Sequence, residues 1–140
     1  MLESRNPDFA ETIRESFGRQ SFMATLGAKI TSVEPGMVRI EYGRGEGLLQ
    51  QHGFIHAGVG TSILDSACGY AALSLAPAGA DVLTAEFKVN FLRPAKGERF
   101  IAVGRVLKAG RMLTICEGEL WADEESLIAK MQATMSIMVR

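Results

Sequence analysis

Residues 57–75, AGVGTSILDSACGYAALSL, are the stretch on which the fold turns. The run has helix length and a single charge, Asp65. Val59, Ile63, Leu64, Ala67, Cys68, Ala71, Ala72 and Leu75 leave almost no polar side, the mark of a helix buried all round. Pro77 and Gly79 end it. A helix this apolar needs cover on most of its surface, and the rest of the chain supplies strands.

Downstream, residues 83–91 alternate strictly: Leu83, Ala85, Phe87, Val89 and Phe91 against Thr84, Glu86, Lys88 and Asn90. A period of two predicts a strand with one apolar face. Pro94 and Gly97 break the pattern. Arg99 to Leu107 is the next strand and Lys108-Ala109-Gly110-Arg111 a hairpin turn. Met112 to Ala122 is another, with a bulge expected near Gly118. After a turn at Asp123 to Ser126, the last strand puts Leu127, Ala129, Met131, Ala133, Met135, Ile137 and Val139 on one face. Upstream, Phe9, Ile13 and Phe17 predict a short amphipathic helix ending near Gly18. Phe22, Met23 and Leu26 fall in a connecting segment. Ala28 to Val33 and Met37 to Tyr42 are two strands around the turn Glu34-Pro35-Gly36. The glycine-dense residues 44–55 are a loop.

The expected class is α+β: an antiparallel sheet covering one long central helix, with a short N-terminal helix, all within a single domain over 1–140. A second subunit is expected to cover what the sheet leaves of the helix.

Lys and Arg number 15 against 16 Asp and Glu, a formal charge of −1, which argues against phosphate-backbone recognition and so against nucleic acid. The apolar run from Phe54 to Ala80 is interrupted by His56, Asp65 and Pro77, a poor membrane span. Glu3, Arg5 and Asp8 stand where a secretory leader needs an apolar core, so a cytoplasmic protein is expected. Cys68 and Cys116 lack metal or disulfide spacing. His52 and His56 are four apart, yet Gly53 lies between them and no third ligand is evident, so no metal is expected.

Asp65 is the residue that asks for an explanation. A carboxylate among Ile63, Leu64, Ala67 and Cys68 must be compensated. It is either an interface or hydroxyl-bonded carboxylate, or a catalytic base or nucleophile. His56 precedes Ala57 and Gly58 at the helix start, where free N–H groups can hold an oxyanion. Nine residues, two and a half turns, separate His56 from Asp65. They project to opposite sides, so converging them on one substrate requires two subunits. Glu86, Lys88 and Asn90 are expected to be a solvated strand face.

His56-Ala57-Gly58, then Asp65, Ala71-Ala72 and Val89-Asn90-Phe91-Leu92-Arg93-Pro94-Ala95 resemble the motifs of hotdog-fold acyl-CoA thioesterases of the phenylacetic acid degradation (PaaI-like) type. The resemblance implies a homodimer, pairing into a homotetramer, with sites between subunits and an acyl-CoA substrate but no further cofactor. It implies that Asp65 is general base or nucleophile on the thioester carbonyl. The amide of Ala57 from the partner would hold the oxyanion, with His56 and Gly58 shaping that end. Gln50, or Gln51 if the loop register shifts, stands for an Asn that positions the carbonyl or water. Thr84 stands for a hydroxyl that orients the water. Phe91 and the turn carrying Lys108, Gly110 and Arg111 match regions that hold coenzyme A. The chain departs from the pattern at Ala57, where glycine is usual, and at Gln50. Two other functions fit the same resemblance: a non-catalytic acyl-CoA-binding module and an enoyl-CoA hydratase or dehydratase. Candidate pocket residues are Phe54, Leu64, Cys68, Tyr70, Leu83 and Phe87.

Overall fold

The computed structural model describes residues 2–139. Its elements run α1 (Phe9–Gly18), α2 (Ser21–Thr25), β1 (Lys29–Glu34), β2 (Met37–Gly43), a 3-10 turn (Glu46–Leu48), α3 (Ala57–Leu73), β3 (Asp81–Phe91), β4 (Arg99–Ala109), β5 (Leu113–Ala122) and β6 (Ser126–Met138). The strands form one six-stranded sheet in the order β1-β2-β4-β5-β6-β3. Every pairing is antiparallel. This is the hotdog arrangement: the sheet curls around α3, and β1 and β3 are its two edges. Among the described residues no helix is long and apolar enough to cross a membrane.

The sheet takes α3 at very short range. Gly104 on β4 pairs with Gly118 on β5. A Cβ at Gly104 would run into the backbone of Ala67 and Cys68. One at Gly118 would meet Leu64 Cδ2 at 3.0 Å and Cys68 Sγ at 3.2 Å. Two cross-strand glycines therefore form a trough for the helix. The expected bulge at Gly118 is absent; that glycine is in regular register, and its lack of a side chain is for helix clearance.

The register shifts fall elsewhere. In β3 the shift lies between Thr84 and Glu86. Leu83 pairs with Ser136 on the outer face, and Thr84 pairs with the buried Met135 on the inner one. Beyond the unpaired Ala85, Glu86, Lys88 and Asn90 face out while Phe87, Val89 and Phe91 face in. The strict alternation read from the sequence put Leu83 with Phe87 and Thr84 with Glu86. One extra residue reverses the phase between them. The same happens in β6, where Ala129 pairs with Leu120 but Leu127 pairs with Trp121. Ile128 is buried instead, and Leu127 leaves the face it was expected to share.

Three further expectations change. The segment with Phe22, Met23 and Leu26 is not a plain connection, because Ser21–Thr25 forms one helical turn that buries Met23. The loop over 44–55 contains the 3-10 turn and a bridge between Leu49 and Ile55. Finally, α3 is not buried all round: Thr61, Ser62, Asp65, Ser66 and Gly69 form a half-covered small, polar stripe. That stripe lies in the seam that the curled sheet leaves open.

Candidate active site

The start of α3 is fixed from three sides. Ile55 N–H donates to Ala95 O at 3.1 Å and His56 N–H to Leu48 O at 2.9 Å. His56 is the N-cap: its Nδ1 accepts from Gly58 N–H at 2.8 Å. An imidazole that accepts at Nδ1 carries its proton on Nε2 when neutral. Gly58 is the residue that lets the ring lie there, since a Cβ would sit 3.0 Å from Nδ1. The cap uses the Gly58 amide and leaves the Ala57 amide, exposed at the positive end of the helix, without a partner among the described residues.

Gln50 is tied into the preceding loop. Its Oε1 accepts from His52 N–H at 2.6 Å and Phe54 N–H at 3.1 Å. Two backbone donors on one atom identify it as the oxygen and turn the amide NH2 to other work. Gly53, at φ +87, closes this turn with an N–H bond to Gln50 O. Gln51 is exposed.

Asp65 lies half-buried in the seam, and its compensation is Thr84, whose Oγ1 donates to Oδ1 at 2.7 Å. The bulge at Ala85 makes this contact possible, because without the phase reversal Thr84 would face away from α3. Asp65 and Thr84 open onto a cavity of about 230 Å³ whose wall is mostly polar, with Ser16, Gln20, Ser66 and Asp81 contributing. Gln20 Nε2 donates to Tyr70 Oη at 3.0 Å, Ser16 Oγ is 3.0 Å from the same phenol, and Ser66 Oγ donates to Gln20 Oε1 at 3.4 Å. The sequence reading missed Ser16 and Gln20. Only an amphipathic helix with polar residues at its end hinted at them.

Cys68, behind Asp65, is fully buried. Burial first, then the neighbouring charges of Cys116 and Asp65, push its thiol up; burial pushes Cys116 up to about 12. Both are free, inert thiols. Leu64, also named as a pocket candidate, is core, and Leu83 faces out from the sheet; Tyr70 does line the cavity.

One chain does not assemble all these groups. Ala57 and Asp65 are eight residues apart, about 12 Å along the axis. Phe91 lies near the start of α3, where its ring is 3.8 Å from a Cβ placed on Gly60. Lys108, Gly110 and Arg111 form the β4–β5 hairpin; Gly110 and Arg111 sit with Arg5 and Leu75 at the opposite end of the helix. No group of three His, Cys, Asp or Glu side chains is placed to hold a metal among the described residues.

A helix wrapped by a curled antiparallel sheet is the hotdog fold, and here it carries a partnerless amide among the described residues at its start and a hydroxyl-bound carboxylate on its open side. The family model of the Thioesterase superfamily matches residues 52–129, and the chain belongs to that family. It is a thioester hydrolase. A thioesterase family protein from Silicibacter pomeroyi has a crystal structure with TM-score 0.92 and 50% identity, covering 94% of this chain and 99% of that one. The PaaI protein of the Escherichia coli phenylacetic acid degradation operon superposes with TM-score 0.86, covering 95% of each chain; at 19% identity that likeness is one of fold. The medium/long-chain acyl-CoA thioesterase YigI of Escherichia coli is 37% identical over 54 residues, 39% of this chain and 35% of that protein.

Proposed function

We propose that the protein hydrolyses acyl-CoA thioesters at two sites of a homodimer, each built from the Asp65 side of one subunit and the α3 start of the other. The observation that carries the reading is the Thr84–Asp65 hydrogen bond on the open side of α3. It holds one carboxylate oxygen and leaves the other for the reacting centre. Asp65 takes the proton of the attacking water and gives it up to the departing sulfur; in the alternative route Asp65 attacks the thioester carbonyl, coenzyme A leaves as thiolate from an acyl–Asp65 anhydride, and water then hydrolyses that anhydride to the acid, its released proton going to the thiolate. The charge that builds on the carbonyl oxygen is met by the partner's Ala57 amide, where fixed dipoles act without reorganisation. In the first route the C–S bond then breaks and the sulfur leaves as coenzyme A thiol with the proton. Gln50 offers its NH2 to the carbonyl or the water, and His56 holds the helix start in shape. Lys108 and Arg111 suit the phosphates of coenzyme A, and Gly110 and Phe91 its contact surface. No metal or redox group enters this chemistry, and the reading places the protein in the cytoplasm.

The outer edge of β3 supports the dimer. It is eleven residues long, at the end of the sheet, with Leu83, Phe87 and Phe91 each 39–58% exposed. A long apolar edge strand is a template for a second chain. Pairing of two β3 edges brings the Asp65 seam of one subunit against the other, and two such dimers complete the tetramer.

The test is thiol release from a panel of acyl-CoAs, wild type beside Asp65→Asn, with sedimentation to give the subunit number. Turnover by wild type and its loss in Asp65→Asn with an unchanged fold is expected; equal turnover by both overturns the role of Asp65.

A further inference from the structure

The seam along α3 has two compartments of opposite chemistry. Around Asp65 the wall is polar, with Ser16, Gln20, Ser66, Asp81 and Thr84. Toward the start of the helix it opens into a groove of about 490 Å³, built from Phe22, Leu26, Leu48, Leu49 and Val59 and floored by Gly58 beside His56. The volume is roughly three times that of an apolar protein cavity of about 150 Å³ that takes up benzene. Phe22 on α2 is a large apolar side chain that stands 52% exposed. Ser62, one of the few polar residues in the groove, turns its hydroxyl back to Gly58 O at 2.7 Å. The mouth of the groove is the end of α3 that carries the Ala57 amide, and its lining is mostly apolar, with Thr25, His56 and Ser62 as its polar side chains.

We infer that this groove is the acyl-chain site, that it takes apolar acyl chains, and that Phe22 on α2 sets how far chain length is rewarded. The inference rests on the thioesterase reading for its carbonyl position. With the carbonyl oxygen on the Ala57 amide, an alkyl chain has an apolar path along Gly58 and Val59 to Phe22 and Leu48. The cavity at Asp65 would leave carboxylate, hydroxyl and amide groups facing methylenes, and so is left to water and the carboxylate. The chain then lies in the subunit that supplies the amide, while the other subunit supplies the base.

The test measures binding of S-butyl-CoA and S-decyl-CoA, two thioethers that cannot be hydrolysed, by calorimetry, with butyryl-CoA and decanoyl-CoA hydrolysis in parallel. Each buried methylene is worth up to about fourfold in affinity. S-decyl-CoA is expected to bind at least a hundredfold tighter than S-butyl-CoA to wild type. In Phe22→Ala that preference is expected to fall about tenfold or more, and in the control Trp121→Phe on the outer face of the sheet it should hold. Phe22 is exposed enough that its removal leaves the fold in place, which a melting curve checks. An equal loss for both thioethers would mean that Phe22 meets the coenzyme A portion and overturns the inference, as would an unchanged preference. Sedimentation showing that Phe22→Ala separates subunits would overturn it in favour of a second copy in the groove. Chain-length-dependent binding that Phe22→Ala removes, with no thiol release in wild type, would keep the groove and defeat the thioesterase reading; thiol release without that dependence would do the reverse.

Discussion

The two ends of the open seam on α3 differ in what they offer a reacting thioester. The start of the helix has an exposed amide without a partner among the described residues, a capping imidazole and an apolar groove. The middle has a carboxylate, the hydroxyl that holds it and a polar cavity. About 12 Å of helix separates them, too far for one carbonyl to touch both. The comparison teaches that the chain carries two complementary halves of a site rather than one site. In the proposed reading a second copy joins them, and the long β3 edge is the surface offered to it.

The largest effect that breaks this comparison comes from removing each half separately. Asp65→Asn should lower kcat by about a thousandfold. Ala57→Pro should cost about a hundredfold or more, because it deletes one N–H aimed at the oxyanion. Proline is welcome at the first helical position, and His56 already has the extended backbone (φ −57, ψ 137) that a following proline requires. The two inactive variants, refolded together one to one, should recover about a quarter of wild-type activity. Half of the dimers are then mixed, and each mixed dimer has one intact site of two. No recovery would place both groups in one chain's site.

Next is the hydroxyl. Thr84→Ala should lower kcat about tenfold, the value of one lost hydrogen bond to a charged group, with Thr84→Ser restoring most of it. A rise in KM alone would show that Thr84 meets substrate rather than Asp65. The cap is smaller: His56→Ala should cost about 1 kcal/mol of stability, read from the denaturation midpoint, and His56→Asn should keep most of it. Smallest are the thiols. Cys116 is neutral in the folded chain up to about 12, against an ordinary value of 9.0. A raised value means that the folded state keeps its proton when the unfolded chain loses it. The contribution is whole below about pH 9 and is lost as pH rises through 12. Denaturation midpoints should therefore fall between these limits, while native protein near neutral pH should not react with a thiol reagent.

The sequence made most of the architecture legible, because α3, the strands and the tight turns each follow from local periodicity or turn chemistry. Asp65 was legible for the same reason, as the one charge in an apolar helix. What it hid were the insertions. A single extra residue at Ala85 or Ile128 leaves the apolar pattern looking unbroken, yet reverses which face each side chain takes. Thr84 reads by alternation as solvent-facing, and its bond to Asp65 exists only because of that insertion. The helix α2 escaped because five residues are too few for a period, and the groove it borders needs Phe22 and Leu48, distant in sequence. Gln50 was named from resemblance, but the bonds that hold its oxygen are a property of the closed turn.

The Gly104–Gly118 trough has a consequence for how this chain tolerates mutation. With the backbone of α3 resting on the sheet, there is no side-chain cushion beneath it to absorb a change. A methyl group added at Gly104 would lift the helix, and on its far side move Asp65 relative to Thr84. Two positions buried beneath the helix thus act as a mutational bottleneck, while the outer face of the sheet, with Glu117 and Glu119 on β5 and Lys130 on β6, is free to drift.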